Sequence, residues 1–232
     1  MATEQSIAAQ VFGALWQWLP ALGVGLWQNI LISITAIALG TVLGLLVGAF
    51  ALSPVAPLRG LARVWVQVFR NAPWLVLIYF TTYVFPFEIK LAGHYLPFPD
   101  WLKVTVGLAL PASANVAEIF RGAIGSIPTT QWEAARSLAF TRGQIFTSII
   151  LPQCFKRMLP PWMNLYAVVT MGTALASLVG VHDLIDTAQI ASNTVNLTGF
   201  TVLIYFSVLA LFFIYCYPIS RLTQRLERRY AF

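Results

Sequence analysis

Residues 23–50 read GVGLWQNILISITAIALGTVLGLLVGAF, and this stretch decides the class of fold. It contains no charged residue, and none occurs anywhere between Glu4 and Arg59. A helix needs about 20 mostly apolar residues to cross the hydrocarbon core of a bilayer. The stretch is long enough for a complete crossing, and it therefore predicts a membrane protein.

The composition of the whole chain agrees with this prediction. Of the 232 residues, 59% are hydrophobic and 9% are charged, and the mean hydropathy is +0.77. An ordinary soluble domain carries about 25% charged residues, so these values argue against a soluble enzyme and against a disordered chain. The two cysteines are too few for a disulfide framework.

Four further apolar stretches predict membrane spans, which makes the chain an all-α membrane protein with about five transmembrane helices. Residues 12–23 contain a proline and two tryptophans, and this pattern is typical of an interfacial segment. We therefore expect residues 1–22 to form a periplasmic or interfacial N-terminal segment and residues 23–232 to form a single transmembrane domain. The four further spans lie between Arg70 and Glu88, over about residues 101–120, between Arg157 and Asp183, and from about Gly199 to Arg221.

The basic residues predict the orientation of these spans. With five spans, Lys90 and Lys103 fall on the side of the N-terminus, and the other 12 of the 14 Lys and Arg residues fall on the opposite side. Loops rich in Lys and Arg face the cytoplasm, so we expect a periplasmic N-terminus and a cytoplasmic C-terminus. The net charge of +6 then reflects topology and contact with anionic membrane lipid rather than nucleic-acid binding.

The longest polar segment, about residues 121–157, lies on the cytoplasmic side. Residues 128–152 read PTTQWEAARSLAFTRGQIFTSIILP. The spacing of Thr130 and Glu133 predicts a helix that starts with a capping box. A turn near residues 139–143 separates it from a second helix over residues 144–151, which we expect Pro152 to end. Such amphipathic helices either lie on the membrane or on their own protein, or they bind a partner.

A resemblance to a known family favours the interpretation that these helices bind a partner. Glu133, Ala134 and Ala135, followed by Ala139 and by the segment 149–152, resemble the EAA loop of permease subunits of bacterial ABC importers. Three more segments are similar to stretches of the polar amino-acid permease family, and the similarity runs from about residue 25 to the C-terminus. The three segments are RNAPWLVLIYF (70–80), ANVAEIFRGAIGSIP (114–128) and LPQCFKRMLPPWMNLY (151–166).

Two positions depart from the family pattern. Ala139 stands where the family usually has glycine, and because alanine resists a positive φ, we expect the turn to differ slightly. Met171 stands where the family often has lysine, which leaves the identity of the solute open.

The resemblance implies a type I ABC importer permease in a bacterial cytoplasmic membrane. Two permease subunits, identical or paralogous, would form the pathway for an amino acid or related polar small solute. A periplasmic substrate-binding protein would deliver the solute, and two cytoplasmic ATPases would power its import. The chain contains no GxxxxGK[ST] phosphate loop. We therefore expect a non-catalytic subunit without a cofactor of its own, with ATP and Mg²⁺ held by the ATPase subunits.

The resemblance also assigns candidate residues to ATPase coupling. These are Gln131, Trp132, Glu133, Ala134, Ala135, Leu138, Ala139 and Phe140.

Polar residues within the spans are candidates for the solute pathway. Glu118 is the only acidic residue within a span, and an ionisable group at that depth is a functional candidate. It would contact the ammonium group of the solute or form an ion pair with Arg121. Asn115 lies three residues earlier, and Asn164 and Tyr166 are further candidates, although the asparagines could equally hydrogen-bond neighbouring helices.

Two other classes of membrane protein remain as alternatives. A membrane-embedded enzyme would need paired catalytic groups, such as HExxH or two carboxylates within spans, and the sequence has neither. A channel or ion-coupled transporter would usually show inverted repeats or several charges within spans, which are not visible in this sequence.

Overall fold

The structure is a computed structural model that describes residues 2–91 and 94–230, with side chains described from residue 9 onward except at positions 89 and 91. It is predominantly helical, which confirms the predicted all-α class. Within the described residues, the only strands form one antiparallel hairpin, β1 (Glu88–Leu91) and β2 (His94–Pro97). The α-helices are α1 (Ala2–Ala51), α2 (Ala56–Asn71), α3 (Trp74–Val84), α4 (Asp100–Gly125), α5 (Thr129–Ser137), α6 (Arg142–Gln144), α7 (Leu151–Gly172), α8 (Leu184–Val195) and α9 (Thr198–Tyr230). A π-helix (Ile145–Ile150) precedes α7, and a 3₁₀ helix (Thr173–Val179) follows it.

Three helical segments of the described chain are long and apolar enough to cross a membrane: Ala9–Ala51, Arg142–Val179 and Thr198–Tyr230. They contain the predicted first, fourth and fifth spans. Helix α4, with 26 residues, covers the predicted third span. Helix α3 has 11 residues, a length of about 16 Å, so it cannot cross the roughly 30 Å hydrocarbon core alone. The number of spans and their orientation stay predictions.

Helix α1 is continuous through Pro20 and through the predicted domain boundary between residues 22 and 23. Val11 and Leu22 are buried in a cluster with residues of α8 and α9, among them Leu184, Phe200 and Ile204. The N-terminal segment is therefore the first part of a long helix, and its interfacial location stays a prediction.

The chain divides into two compact units. The first comprises residues up to 36, residues 74–108 and residues 169–218, and its polar centre is Asn29 of α1. The Nδ2 atom of Asn29 donates to Thr173 Oγ1 (3.0 Å) and to Asp183 Oδ2 (3.1 Å), and its Oδ1 atom accepts from the Leu184 backbone N–H (3.0 Å). This network joins α1, the 3₁₀ helix and the start of α8, where Asp183 is the N-cap.

The second unit comprises residues 37–73, residues 109–168 and residues from 219 onward. Here α1 packs on α4 through three glycines spaced four apart, Gly40, Gly44 and Gly48. A Cβ at Gly44 would lie 2.5 Å from the Ser113 carbonyl oxygen, so only glycine allows this approach. Small residues at four-residue spacing are a common means of close helix packing in membranes.

Candidate coupling loop and polar cavity

The first helix of the loop over about residues 121–157, α5, begins one residue earlier than expected. Its N-cap is Pro128, and no side chain caps it, so the predicted capping box of Thr130 and Glu133 is wrong. Because Thr129 is already helical, Thr130 lies inside the first turn rather than at the N-cap position. The capping box of this loop forms instead at Thr141 and Gln144, where Thr141 N–H donates to Gln144 Oε1 (2.9 Å) and Gln144 N–H donates to Thr141 Oγ1 (3.4 Å).

Helix α5 ends in a Schellman motif with alanine at the position where glycine is usual. Ala139 has a φ of 58°, in the left-handed region. Its N–H donates to the Arg136 carbonyl (2.9 Å), and the Phe140 N–H donates to the Ala135 carbonyl (3.2 Å). The turn therefore adopts the conformation that glycine favours, although alanine occupies it.

The second helix of the loop does not end at Pro152 as predicted. Residues 145–150 form a π-helix in which the Leu151 N–H donates to the Phe146 carbonyl, five residues back, and α7 then continues to Gly172. A proline normally lacks one helical hydrogen bond and its ring clashes with the carbonyl four residues earlier. Pro152 is the second residue of α7, which directly follows the π-helix, so the regular pattern of hydrogen bonds to the residue four positions back is already interrupted where the proline enters the helix.

Part of α5 faces an apolar cluster that fixes the helix to the rest of the second unit. The buried members are Ala123, Ile127, Ala135, Ile145, Ile150 and Cys154. Ala135 is 2% exposed, and Trp132 packs against the same cluster. The side chain of Gln131 accepts a hydrogen bond of 2.6 Å from Gln153 Nε2. Three of the eight predicted coupling residues thus hold α5 in place.

The other five predicted coupling residues point outward. Glu133, Ala134 and Ala139 are exposed, while Leu138 is 73% and Phe140 39% exposed. Leu138 and Phe140 thus place two exposed large apolar side chains within three residues of a polar loop, and adjoining exposed apolar groups can form part of a partner-binding surface. The eight residues therefore divide into an inner face that positions α5 and an outer face available to a partner, and we call these outer five residues the coupling face.

Glu118 lies in a polar cavity formed by α2, α4 and the end of α1. Its carboxylate accepts hydrogen bonds from Arg121 Nε (3.0 Å) and Arg121 Nη2 (2.7 Å), and Arg70 Nη1 lies 3.7 Å away. The side chain of Glu118 is 26% exposed. The cavity has a volume of about 350 Å³ and is lined by Ala51, Ala62, Arg63, Val66, Gln67, Arg70, Glu118 and Arg121.

The other predicted pathway residues occupy different surroundings. The Asn115 side chain donates to the Pro111 carbonyl of its own helix (2.8 Å). Asn164 is exposed, and the Tyr166 ring stacks on Trp162 at a centroid distance of 6.4 Å. Only Glu118 of the four predicted residues lines the cavity.

Sequence reasoning missed several residues that complete these sites. Gln67 and Arg70 line the cavity, and Gln153 and Arg157 of α7 contact the loop around α5. Arg70 and Gln153 both lie in segments of family resemblance, yet nothing in their spacing shows which residues they contact. Within residues 2–91 and 94–230, no group of three or more His, Cys, Asp and Glu side chains could hold a metal ion.

The chain is similar to known proteins over most of its length. A family model described as "Binding-protein-dependent transport system inner membrane component" matches residues 40–231. The chain is 32% identical over 211 residues to the L-cystine transport system permease protein TcyB of Bacillus subtilis (strain 168), covering 90% of this chain and 86% of that protein. It is 34% identical over 211 residues to the probable glutamine ABC transporter permease protein GlnM of the same organism, covering 89% and 93%.

A solved structure is also similar over nearly the whole chain. One chain in the crystal structure of an amino acid ABC transporter with histidines has a TM-score of 0.82 and 28% sequence identity to this chain. The match covers 94% of this chain and 98% of that chain.

Proposed function

Because this chain belongs to the family of binding-protein-dependent transport system inner membrane components, we propose that the solute it carries is an amino acid or a related polar small molecule. The chain is a non-catalytic translocation subunit of the cytoplasmic membrane, with the fold of type I ABC importer permeases. The names of its relatives support the proposed solute class, since TcyB is named for L-cystine and GlnM for glutamine.

The proposed assembly contains two permease subunits, identical or paralogous, together with two ATPases and a periplasmic substrate-binding protein. ATP and Mg²⁺ would bind to the ATPases, since this sequence has no GxxxxGK[ST] phosphate loop. Permeases of this family work with ATPase and substrate-binding partners in general, and the stoichiometry is part of the proposal.

The coupling face of α5 is the observation that supports the proposed contact with the ATPases. Leu138 and Phe140 are exposed on it, whereas Trp132 and Ala135 anchor the same helix to the apolar cluster. A helix held in this way moves as a rigid body when a partner displaces its exposed side. ATP-driven movement of the ATPases would thus shift α5 and change the populations of outward- and inward-facing states.

A substitution on the coupling face tests this assignment. Leu138→Asp should reduce the amount of ATPase that copurifies in detergent at least tenfold, because it places a charge in an apolar contact, and Leu138→Met should retain it. Glu133→Lys offers a second test on the same surface. Ala135 is unsuitable, since a charge at this buried position would disrupt the cluster itself. Normal ATPase association and uptake with both Leu138→Asp and Glu133→Lys would contradict the proposed function.

We further propose that the polar cavity around Glu118 contacts the solute. An amino acid carries an ammonium and a carboxylate group, and the cavity offers one carboxylate and three guanidinium groups, from Arg63, Arg70 and Arg121. A solute would exchange these ion pairs for its own rather than leave a charge unpaired. Asn115, Asn164 and Tyr166 are proposed as pathway residues outside this cavity.

The solute class is tested by uptake into proteoliposomes that contain the assembled importer. Uptake dependent on the binding protein should be measured for basic, acidic and neutral amino acids and their derivatives. We expect uptake of at least one of these groups to require ATP. Uptake that is abolished by an ionophore but not by ATP depletion would indicate an ion-coupled transporter instead.

A further inference from the structure

Gln153 forms hydrogen bonds to two different elements of the coupling loop. It is the third residue of α7, directly beyond the π-helix. Its Nε2 atom donates to Gln131 Oε1 of α5 (2.6 Å) and to the Ile149 carbonyl of the π-helix (2.8 Å). A glutamine amide has two N–H donors, and both are used here. One side chain therefore links α5, the π-helix and α7.

The π-helix is an irregular segment in the chain between α5 and α7. Six residues, Ile145–Ile150, are π-helical, a rare conformation that occurs mostly in short stretches and often at functional sites. The covalent path from α5 to α7 passes through the Ala139 turn, α6 and this π-helix. A movement of α5 that followed only this path would be absorbed by the turns. The hydrogen bond between Gln131 and Gln153 joins residues 22 positions apart and bypasses all of them.

A second contact holds the neighbouring part of α7 to the end of α4. Arg157 Nη1 donates to the Ser126 carbonyl (3.0 Å) and to Ser126 Oγ (3.1 Å), across 31 residues. Gln153 and Arg157 lie four residues apart, and therefore on one side of α7. The side of α7 that carries these residues is thus bonded both to α5 and to the segment that precedes it.

We propose that Gln153 is a positioning residue that transmits the displacement of α5 to α7 across the π-helix. This inference rests on the proposed contact between α5 and the ATPases. Loss of the Gln153 donors leaves α5 on its apolar cluster, where it still binds the ATPases. The cluster includes Cys154 of α7, so part of the movement of α5 still reaches α7, but the part that the directional hydrogen bond carries is lost. ATP hydrolysis then continues while less solute is imported for each ATP.

Two substitutions of similar size separate this role from simple packing. Gln153→Met keeps the length of the side chain and removes both donors, whereas Gln153→Lys keeps donors at a similar reach. In proteoliposomes with the complete importer, we expect Gln153→Met to lower the ratio of solute imported to ATP hydrolysed roughly fivefold, the scale of the one hydrogen bond that is lost between α7 and α5. ATPase copurification and the rate of ATP hydrolysis should be unchanged, and Gln153→Lys should retain the wild-type ratio.

A third variant provides the test if Gln153→Met does not assemble. Gln131→Met removes the acceptor and should lower the same ratio, and combining both methionines should cause no larger loss than either alone. An unchanged ratio in the methionine variants would overturn the inference, as would an equal loss in Gln153→Lys. If Leu138→Asp releases the ATPases while the methionine variants couple normally, this inference fails and the proposed function stands. If Leu138→Asp and Glu133→Lys both retain the ATPases and normal uptake, the proposed contact between α5 and the ATPases itself fails.

Discussion

Ala139 holds a left-handed backbone conformation, with a φ of 58°, and its replacement by glycine is expected to strengthen the end of α5. A residue with a Cβ atom pays about 1–2 kcal/mol for this conformation. Glycine avoids that cost but loses about 0.5–1 kcal/mol more conformational entropy on folding. The difference favours Ala139→Gly by about 0.5–1 kcal/mol. The hydrogen bonds of the turn are unaffected, because both donors and acceptors belong to the backbone.

Amide hydrogen exchange at the turn measures this effect directly. The Phe140 N–H donates to the Ala135 carbonyl (3.2 Å), and this bond must break before the amide can exchange. A gain of about 0.5–1 kcal/mol in local stability corresponds to exchange that is about two- to fivefold slower. The measurement uses the intact protein in detergent and follows a peptide that contains residues 129–144.

Ala134→Gly is the matched control within the same helix. Ala134 is exposed and helical, so glycine there should cost about 0.5–1 kcal/mol and should accelerate exchange. Unchanged or faster exchange at Phe140 in Ala139→Gly would refute the argument from the left-handed conformation. Slower exchange in Ala134→Gly would show that glycine acts on the loop by another route.

Three further predictions concern the rest of the chain. Gly44→Ala should lower stability by about 1–3 kcal/mol, because its Cβ would lie 2.5 Å from the Ser113 carbonyl oxygen. Gly122→Ala is the control and should not lower stability, since a Cβ there would meet no atom within 4 Å. Equal melting temperatures of the two variants would disprove the packing argument. Glu118→Gln should change the free energy of unfolding by less than about 1 kcal/mol, since the carboxylate is only partly buried. The same substitution should lower uptake at least tenfold. Full uptake with reduced thermal stability would mean that Glu118 serves only as an ion pair. Burial raises the pKa of the Asp183 carboxyl above its usual range, against the lowering effect of hydrogen bonds from the Asp186 N–H and Asn29. The protonated form is thus favoured on folding, and its contribution to stability is complete below the ordinary pKa of aspartate and is lost as the pH rises through the raised value. The melting temperature of the wild type relative to Asp183→Asn should therefore fall as the pH rises above the ordinary aspartate pKa of about 4, and a constant or rising difference would contradict the assigned cause.

In the loop around α5, sequence patterns predicted the position of the first helix but not how either helix is capped or ended. The motif around Glu133 located the start of α5 to within one residue. The expectation that alanine at position 139 would change the turn is wrong, because Ala139 adopts the left-handed conformation that glycine favours. The patterns failed at Thr130 and Pro152, because both predictions assumed a local rule. Pro128 took the N-cap position, and a π-helix accommodated the proline that should have ended the second helix.

The contacts of the candidate solute-pathway residues were less predictable from the sequence. Glu118 is a candidate because an acidic residue within a span is costly and rare. Its spacing of three residues from Arg121 gives the ion pair as one of two alternatives, and the structure shows that Glu118 forms this pair. Its second partner, Arg70, lies on α2 and is 48 residues away in sequence. Asn115, Asn164 and Tyr166 were chosen for their polarity, and the structure places none of them in the cavity with Glu118.

The sequence by itself determined the membrane class, the helical character and the position of the polar loop that contains α5. Hydropathy and charge act locally, since each apolar stretch must satisfy its own backbone hydrogen bonds in lipid, and so these properties can be read along the chain. Only the tertiary structure decided which face of α5 is buried, that Arg70 joins Glu118, and that Gln131 meets Gln153. Such contacts join residues far apart in sequence, and they depend on the distance and orientation of whole helices, which no local pattern specifies.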